Sequence, residues 1–245
     1  SYSWNSGQTT EDLSSITAGT YNLTSTDVNG CITNESVLID EPISMGSSYS
    51  TIGWNGYEIQ CNGGNNGEIT MSVSGGVTSL PYSYDIDGVS NSPITSNIFN
   101  NLSEGTYLVT ATDANGCTTS ETVTLIEPST SIVSSVTSSN YNGVGVTCND
   151  SINGWIDLTV NGGVTPHTYN WNSGQYSSED LSVIGAGTYS VVATDLNGCT
   201  TTQSVTITEP NPYTSSYVPS NYNGFGVSCN GNSNGDIDVT VNGGT

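Results

Sequence analysis

Six cysteines are the residues of this 245-residue sequence whose type and spacing most directly suggest chemistry. They fall into two contexts that alternate along the chain. Cys31, Cys117 and Cys199 each follow Asn-Gly, whereas Cys61, Cys148 and Cys229 each precede Asn. No Cys-x-x-Cys pair of the metal-binding or redox kind occurs, so the thiols read as disulfide partners in an oxidising compartment. An extracellular or cell-surface location is the corresponding expectation.

The second candidate chemistry is metal binding, and calcium is the candidate ion because the donors are oxygens. Asp113 and Asp195 open the turns before Cys117 and Cys199, while Glu127 and Glu209 stand before prolines. Asp150, Asp157, Asp236 and Asp238 lie in or just beyond the Asn/Gly-rich turns that follow Cys148 and Cys229. The run Asn230 to Asp238 has the alternating donors and the sixth-position glycine of an EF-hand loop, but Val241 stands where the bidentate glutamate belongs. Tight turns closed by Asn and Gly are the plainer reading. His167 is the sole histidine and has no second ligand beside it in sequence. No serine, cysteine or aspartate is paired with a base in a catalytic pattern. The expectation is a protein with no enzymatic activity and no cofactor, with calcium at repeat junctions the one exception considered.

These residues must be positioned by a repeated element. The pattern Gly-Thr-Tyr, five alternating residues, Asp-x-Asn-Gly-Cys occurs at Gly19 to Cys31, Gly105 to Cys117 and Gly187 to Cys199. Its period-2 alternation of β-branched and apolar residues predicts a strand. Asn-Gly predicts a hairpin through its positive-φ positions. A second strand then ends at Glu-Pro, where proline cannot continue a ladder. Cysteines in the same context recur at about 86 and then about 82 residues, the size of a small all-β domain.

Six or seven short strands per repeat, with turns at sandwich spacing and no helical periodicity, predict tandem immunoglobulin-like β-sandwiches arranged head to tail. The expected boundaries are 1–41 for the back half of a repeat, 42–128 and 129–210 for two complete repeats, and 211–245 for the front of another. The chain therefore reads as a window within a longer array. Trp4, Ile86 and Trp171 fall where such a sandwich buries a large residue on its third strand. Tyr21, Tyr107 and Tyr189 fall where it carries its corner tyrosine.

Strand direction bears on the cysteines. In a seven-strand sandwich the second and sixth strands run the same way, so a cysteine before one and a cysteine after the other sit roughly 20 Å apart. A disulfide needs Cα atoms within about 7 Å. The preferred pairing is therefore Cys61 with Cys199, a bond between consecutive repeats. The alternative is Cys61 with Cys117 and Cys148 with Cys199, each inside one repeat. In the preferred scheme Cys31 and Cys229 find partners outside this sequence, and Cys117 and Cys148 likewise look to repeats on either side.

Composition narrows the partners. There is no Lys or Arg against 22 acidic residues, for a formal net charge of -22. Nucleic acid and anionic membrane surfaces both require cations, so neither is expected as a partner. No apolar run is long enough to span a bilayer, and membrane insertion is not expected.

The motifs Cys-Asn-Gly-x-x-x-Gly-x-Ile, Val-x-Gly-Gly, Pro-Tyr-x-Tyr, Leu-x-x-x-Gly-Thr-Tyr, Thr-Asp-x-Asn-Gly-Cys and Ile-x-Glu-Pro, taken in order, resemble the SprB repeat of Bacteroidetes surface proteins. That resemblance implies a long array in a gliding adhesin or another protein exported by the type IX system, and it carries over no catalytic residue. In that setting Asp150-Ser151-Ile152 fits a short O-glycosylation pattern at Ser151. The expected role is the shaft of an extracellular filament or giant adhesin, its partners being neighbouring repeats and other copies in a fibre. The alternative is a carbohydrate- or cell-binding module. There the loops between Gly-Gly and Gly-Thr-Tyr, such as Asp87 to Asn97, hold a surface polysaccharide.

Overall fold

A computed structural model describes residues 1–77, 81–87 and 96–245. Among the described residues every regular element is a β-strand. β1 (Tyr2–Trp4), β2 (Gly19–Thr26) and β3 (Ile32–Ile39) form an antiparallel sheet in that order. β4 (Gly46–Thr51), β5 (Gly67–Ser74), β6 (Ser83–Ile86), β7 (Ile98–Leu102), β8 (Gly105–Thr112) and β9 (Thr118–Leu125) follow. They sort into the sheets β4-β5-β7 and β6-β8-β9. β10 (Val133–Ser138), β11 (Gly154–Asn161), β12 (Thr168–Trp171), β13 (Leu181–Ile184), β14 (Gly187–Thr194) and β15 (Thr200–Ile207) repeat the scheme as β10-β11-β13 and β12-β14-β15. β16 (Asn211–Pro219) and β17 (Ile237–Gly244) pair with each other.

In each six-stranded set, the first, second and fourth strands make one sheet and the third, fifth and sixth make the other. Among the described residues this is the immunoglobulin-like strand partition, with six strands in each set. By contacts the chain forms two compact units. One comprises Ser1–Ser50, Ile69–Phe99 and Thr106–Val123, and the other Thr51–Glu68, Asn100–Gly105 and Thr124–Thr245. In the first, Ile69, Met71, Val109, Ala111 and Val123 are buried.

The second unit contains β10 to β15 complete, and its core follows from alternation. Along β14, Tyr189, Val191 and Ala193 are buried while Thr188, Ser190 and Val192 face outward. Along β11, Ile156 and Leu158 point in, and Trp155 and Asp157 point out. These meet Trp171, Val146, Leu181, Ile184 and Ile207 in one cluster. Trp171 is fully buried, and its indole N–H donates to the Ser178 carbonyl at 3.0 Å, which meets the polar requirement of the buried ring. Its counterparts Trp4 and Ile86 are only half-buried. Tyr189 and Tyr21 make the corner bond, each hydroxyl donating to the carbonyl four residues back, Gly185 at 3.1 Å and Thr17 at 2.8 Å.

The two kinds of Asn-Gly turn differ from each other. After the aromatic residues, both members have positive φ, as in Asn142 (56°) and Gly143 (96°), and a bridge closes Tyr141 on Val144, a two-residue hairpin turn. In the Asp-x-Asn-Gly-Cys hairpins only the glycine is left-handed, Gly116 at 85° and Gly198 at 90°. The expectation that Asn and Gly both supply positive φ there is corrected. Gly116 N–H donates to the Asp113 carbonyl at 3.1 Å and Asp113 N–H to the Cys117 carbonyl at 2.9 Å, so a longer loop replaces the two-residue turn.

Trp171→Ala leaves a large cavity in this core and is expected to lower unfolding free energy by about 3–5 kcal/mol, read as a lower urea midpoint with unchanged slope.

Candidate functional site

Two of the cysteines singled out by sequence come together where one repeat meets the next. Cys61 and Cys199 are joined by a disulfide across 138 residues, with Cα atoms 5.8 Å apart. Cys61 follows the aromatic-Asn-Gly turn of residues 42–128, and Cys199 ends the hairpin of residues 129–210. Cys31, Cys117, Cys148 and Cys229 are exposed free thiols. With Cys61 and Cys199 bonded to each other, neither intra-repeat pairing forms.

Side-chain amides surround the bond. Gln60 Nε2 donates to the Asn197 carbonyl at 2.7 Å, and Asn197 Nδ2 returns to the Gln60 carbonyl at 2.9 Å. Asn55 Nδ2 reaches Asn197 Oδ1 at 2.7 Å. Asn197 is 4% exposed, so loss of a partner for its buried amide is costly. Asn62 holds the connecting segment, donating to the Pro128 carbonyl at 2.9 Å and accepting from Ser131 Oγ at 2.8 Å. Asn55, Asn62, Gln60 and Asn197 were not among the sequence candidates. For Asn197 a signal existed, since an Asn recurs in every Asp-x-Asn-Gly-Cys hairpin. For Gln60 there was none, because Thr147 and Ser228 occupy its place elsewhere.

Of the acidic candidates, Asp113, Asp195, Glu127 and Glu209 are each engaged by amides of their own repeat. Asp195 accepts Cys199 N–H at 2.8 Å and Val164 N–H at 2.9 Å. Asp113 likewise accepts Val77 N–H at 2.9 Å, with Asn115 and Cys117 N–H both at 2.9 Å. These amides, Val77 foremost, hold the Asp113 carboxyl below the usual carboxylate range against the opposing effect of burial. Glu127 accepts Asn62 Nδ2 at 2.9 Å and Gly63 N–H at 2.8 Å, and Glu209 accepts Asp150 N–H at 2.7 Å. Asp157 and Asp238 project outward from β11 and β17, and Asp236 bonds through its backbone to Ser220. Among the described residues no three His, Cys, Asp or Glu side chains form a group that could hold a metal ion.

The donor-rich turns are likewise occupied by their own backbone, with Asn153 Oδ1 accepting Thr147 N–H and Asn234 Oδ1 accepting Ser228 N–H, each at 3.2 Å. Ser151 sits half-buried in the first of them and donates its N–H to the Cys148 carbonyl. His167 Nε2 lies 3.0 Å from the Gly162 carbonyl, the role that the Tyr82 hydroxyl plays toward Gly75. The loop proposed as a glycan contact falls, over 88–95, outside the described residues.

Two segments, 58–91 and 140–176, match the family model of the SprB repeat. The chain carries the SprB-repeat signature in these two segments. Each matched segment runs from around the first cysteine, through the donor-rich turn and second strand, to the third strand, so the SprB motif includes the Cys61 and Cys148 sides of the junction. No curated protein matches the chain. Among solved structures, it is similar to the N-terminal eight Ig domains of Down Syndrome Cell Adhesion Molecule, isoform 1.30.30. The identity is 13% and the TM-score 0.40, over 92% of this chain and 31% of that one. The chain thus spans about a third of that structure's length.

Two expected outcomes follow from the junction and the hairpins. Asn197→Ala removes the two bonds made by its side chain while leaving the disulfide possible, and is expected to lower the melting temperature of the oxidised chain and speed reduction of Cys61–Cys199 by dithiothreitol. Asp113 has a depressed folded pKa. Its contribution is therefore complete above the ordinary aspartate value of about 3.9 and is lost as pH falls through the lowered folded value. Asp113→Asn is expected to lower the melting temperature at pH 7 and to flatten the acid limb of a melting-temperature profile between about pH 5 and pH 2.

Proposed function

We propose that this chain is a non-enzymatic structural array, a section of the shaft of an extracellular filament or giant surface adhesin of the gliding-motility kind. The observation that carries the reading is the disulfide from Cys61 to Cys199, which ties a repeat to its successor. The partners in this reading are neighbouring SprB repeats and other copies in a fibre. A surface location agrees with the family, since SprB repeats belong to surface proteins, and with a disulfide that an oxidising compartment maintains. No described helix is long and apolar enough to cross a membrane.

The mechanical logic is direct. Tension applied at the two ends of the chain reaches Cys61, crosses the disulfide and leaves at Cys199, so the residues between carry none of it. Closing a loop of 138 residues also restricts the unfolded chain, worth about 5 kcal/mol in the chain-entropy account. Hydrogen bonds from Gln60, Asn55 and Asn197 keep the two repeats in register around the bond.

Single-molecule pulling tests the role. Reduction should lengthen the fully extended chain by roughly 500 Å, the reach of 138 residues at about 3.6 Å each. Equal extensions with and without reductant would contradict a staple that carries tension. Binding of the array to purified surface polysaccharide, lost on replacing the 87–97 loop, would instead favour the glycan-binding module.

A further inference from the structure

Asparagine followed by glycine is the dipeptide in which a side-chain amide is most readily lost without an enzyme. Glycine has no side chain to shield its own nitrogen, so that nitrogen can approach the asparagine Cγ. Asn55-Gly56, Asn62-Gly63 and Asn197-Gly198 all stand at the closed junction. In the last two the attacking nitrogen is held. Gly63 N–H donates to Glu127 Oε2 at 2.8 Å, and Gly198 N–H to the Asp195 carbonyl at 3.1 Å. Among the described residues, Gly56 N–H has no such acceptor.

The sequence supplies the reason. The same turn recurs at 142–143 and 223–224, where Gly143 and Gly224 N–H donate to Asn140 and Asn221 Oδ1, each at 2.7 Å. Gly53 takes that place in the turn before Cys61 and has no side chain to accept the bond. Asn55 and Gly56 are both exposed, so water and base reach them. The remaining restraint acts on the side chain itself. Asn55 Nδ2 donates to Asn197 Oδ1 at 2.7 Å, which ties the amide to the following repeat.

We propose that Asn55 is a self-modification site guarded by the junction: it persists while Asn197 holds its amide, and when the junction opens it loses ammonia irreversibly and no longer fits Asn197. The Gly56 nitrogen gives up its proton to base and attacks Asn55 Cγ, forming a new C–N bond. Ammonia leaves from Cγ, which closes a cyclic imide. Water then opens the ring. Addition at Cγ gives aspartate, and addition at the main-chain carbonyl carbon gives isoaspartate, whose backbone runs through the former side chain. One water is consumed and one ammonia released, with no change of oxidation state.

Either product undoes the contact. A carboxylate offers acceptors only. Asn197 Oδ1 is an acceptor as well, because Asn197 Nδ2 is committed to the Gln60 carbonyl at 2.9 Å. Isoaspartate also adds a backbone carbon to the two-residue turn that bridges Trp54 to Tyr57. A junction that has opened is thereby marked, and closes less firmly afterwards. The inference rests on the closed junction and does not require the adhesive role.

The test keeps the oxidised 245-residue chain in mildly alkaline buffer, samples it over days and digests it with a glutamate-specific protease, since the sequence offers trypsin no site. A glutamyl-proline bond resists that protease, so the peptide read is 36–58, in which Asn55 carries the only side-chain amide. Conversion is followed by mass, and fragmentation places it at residue 55. Asn197→Ala should raise the rate at Asn55 several-fold over the unsubstituted chain. Adding Gly53→Asn to that variant should return the rate toward the slow value by capping Gly56 N–H. Gly53 accepts a side chain, since its φ is not left-handed and nothing lies within 4 Å of an added Cβ. A turn that had merely unfolded would not respond to the cap. Separately, Asn55→Asp should speed reduction of Cys61–Cys199 by dithiothreitol. Equal rates at Asn55 with and without Asn197→Ala would overturn the proposal. So would a rate indifferent to Gly53→Asn, or a disulfide no more reducible in Asn55→Asp.

Discussion

The bond between Cys61 and Cys199 is the constraint on which the rest of this arrangement depends. It is reachable because two turns, from different repeats, bring their cysteines together. The hairpin is stiffened by Asp195, whose carboxylate accepts the Cys199 and Val164 amides, so the Cys199 thiol is presented at a fixed place. The opposite turn is anchored by Asn62, Glu127 and the segment leading into the next repeat. Gln60 and Asn197 then exchange hydrogen bonds from each side-chain amide to the other's carbonyl across the contact.

The absence of Lys and Arg gives the polar chemistry of the fold its character. With 22 acidic residues and no cationic side chain except a protonated His167, carboxylates cannot be neutralised by ordinary ion pairs. Those with structural roles accept backbone amides instead, a partner that every turn supplies and that salt does not compete for as it does for a surface ion pair. Asp27, Asp113 and Asp195 repeat the same solution in three hairpins, and Glu127 and Glu209 lock the turns beyond the first cysteine of their own repeats. Asn, Ser and Thr supply the remaining contacts. The arrangement keeps the surface strongly anionic, which favours solubility and disfavours unspecific association.

Much of the fold was legible because the signals were local and repeated. Period-2 alternation located β2, β8 and β14, and Glu-Pro located the ends of β3, β9 and β15 to within a few residues. The corner tyrosines were recognisable from Gly-Thr-Tyr alone. The hairpin turns were less so, because the Asp side chain redirects the amides of the loop and leaves positive φ to glycine only, a tertiary detail that Asn-Gly spacing does not carry. Of the junction, the cysteines could be read from strand direction, but Gln60 could not, since its value comes from a neighbour 137 residues away. The acids were expected to converge on a shared site. They are distributed instead: Asp113, Asp195, Glu127 and Glu209 accept amides at separate places within their own repeats, and Asp157 and Asp238 face outward.

Disulfide mapping of the oxidised chain, with free thiols blocked before digestion, tests the central claim most directly. The account requires a peptide pair linking Cys61 to Cys199. Pairs linking Cys61 to Cys117 and Cys148 to Cys199 would contradict it, and would make each repeat a separately stapled domain tied to its neighbour by the backbone alone.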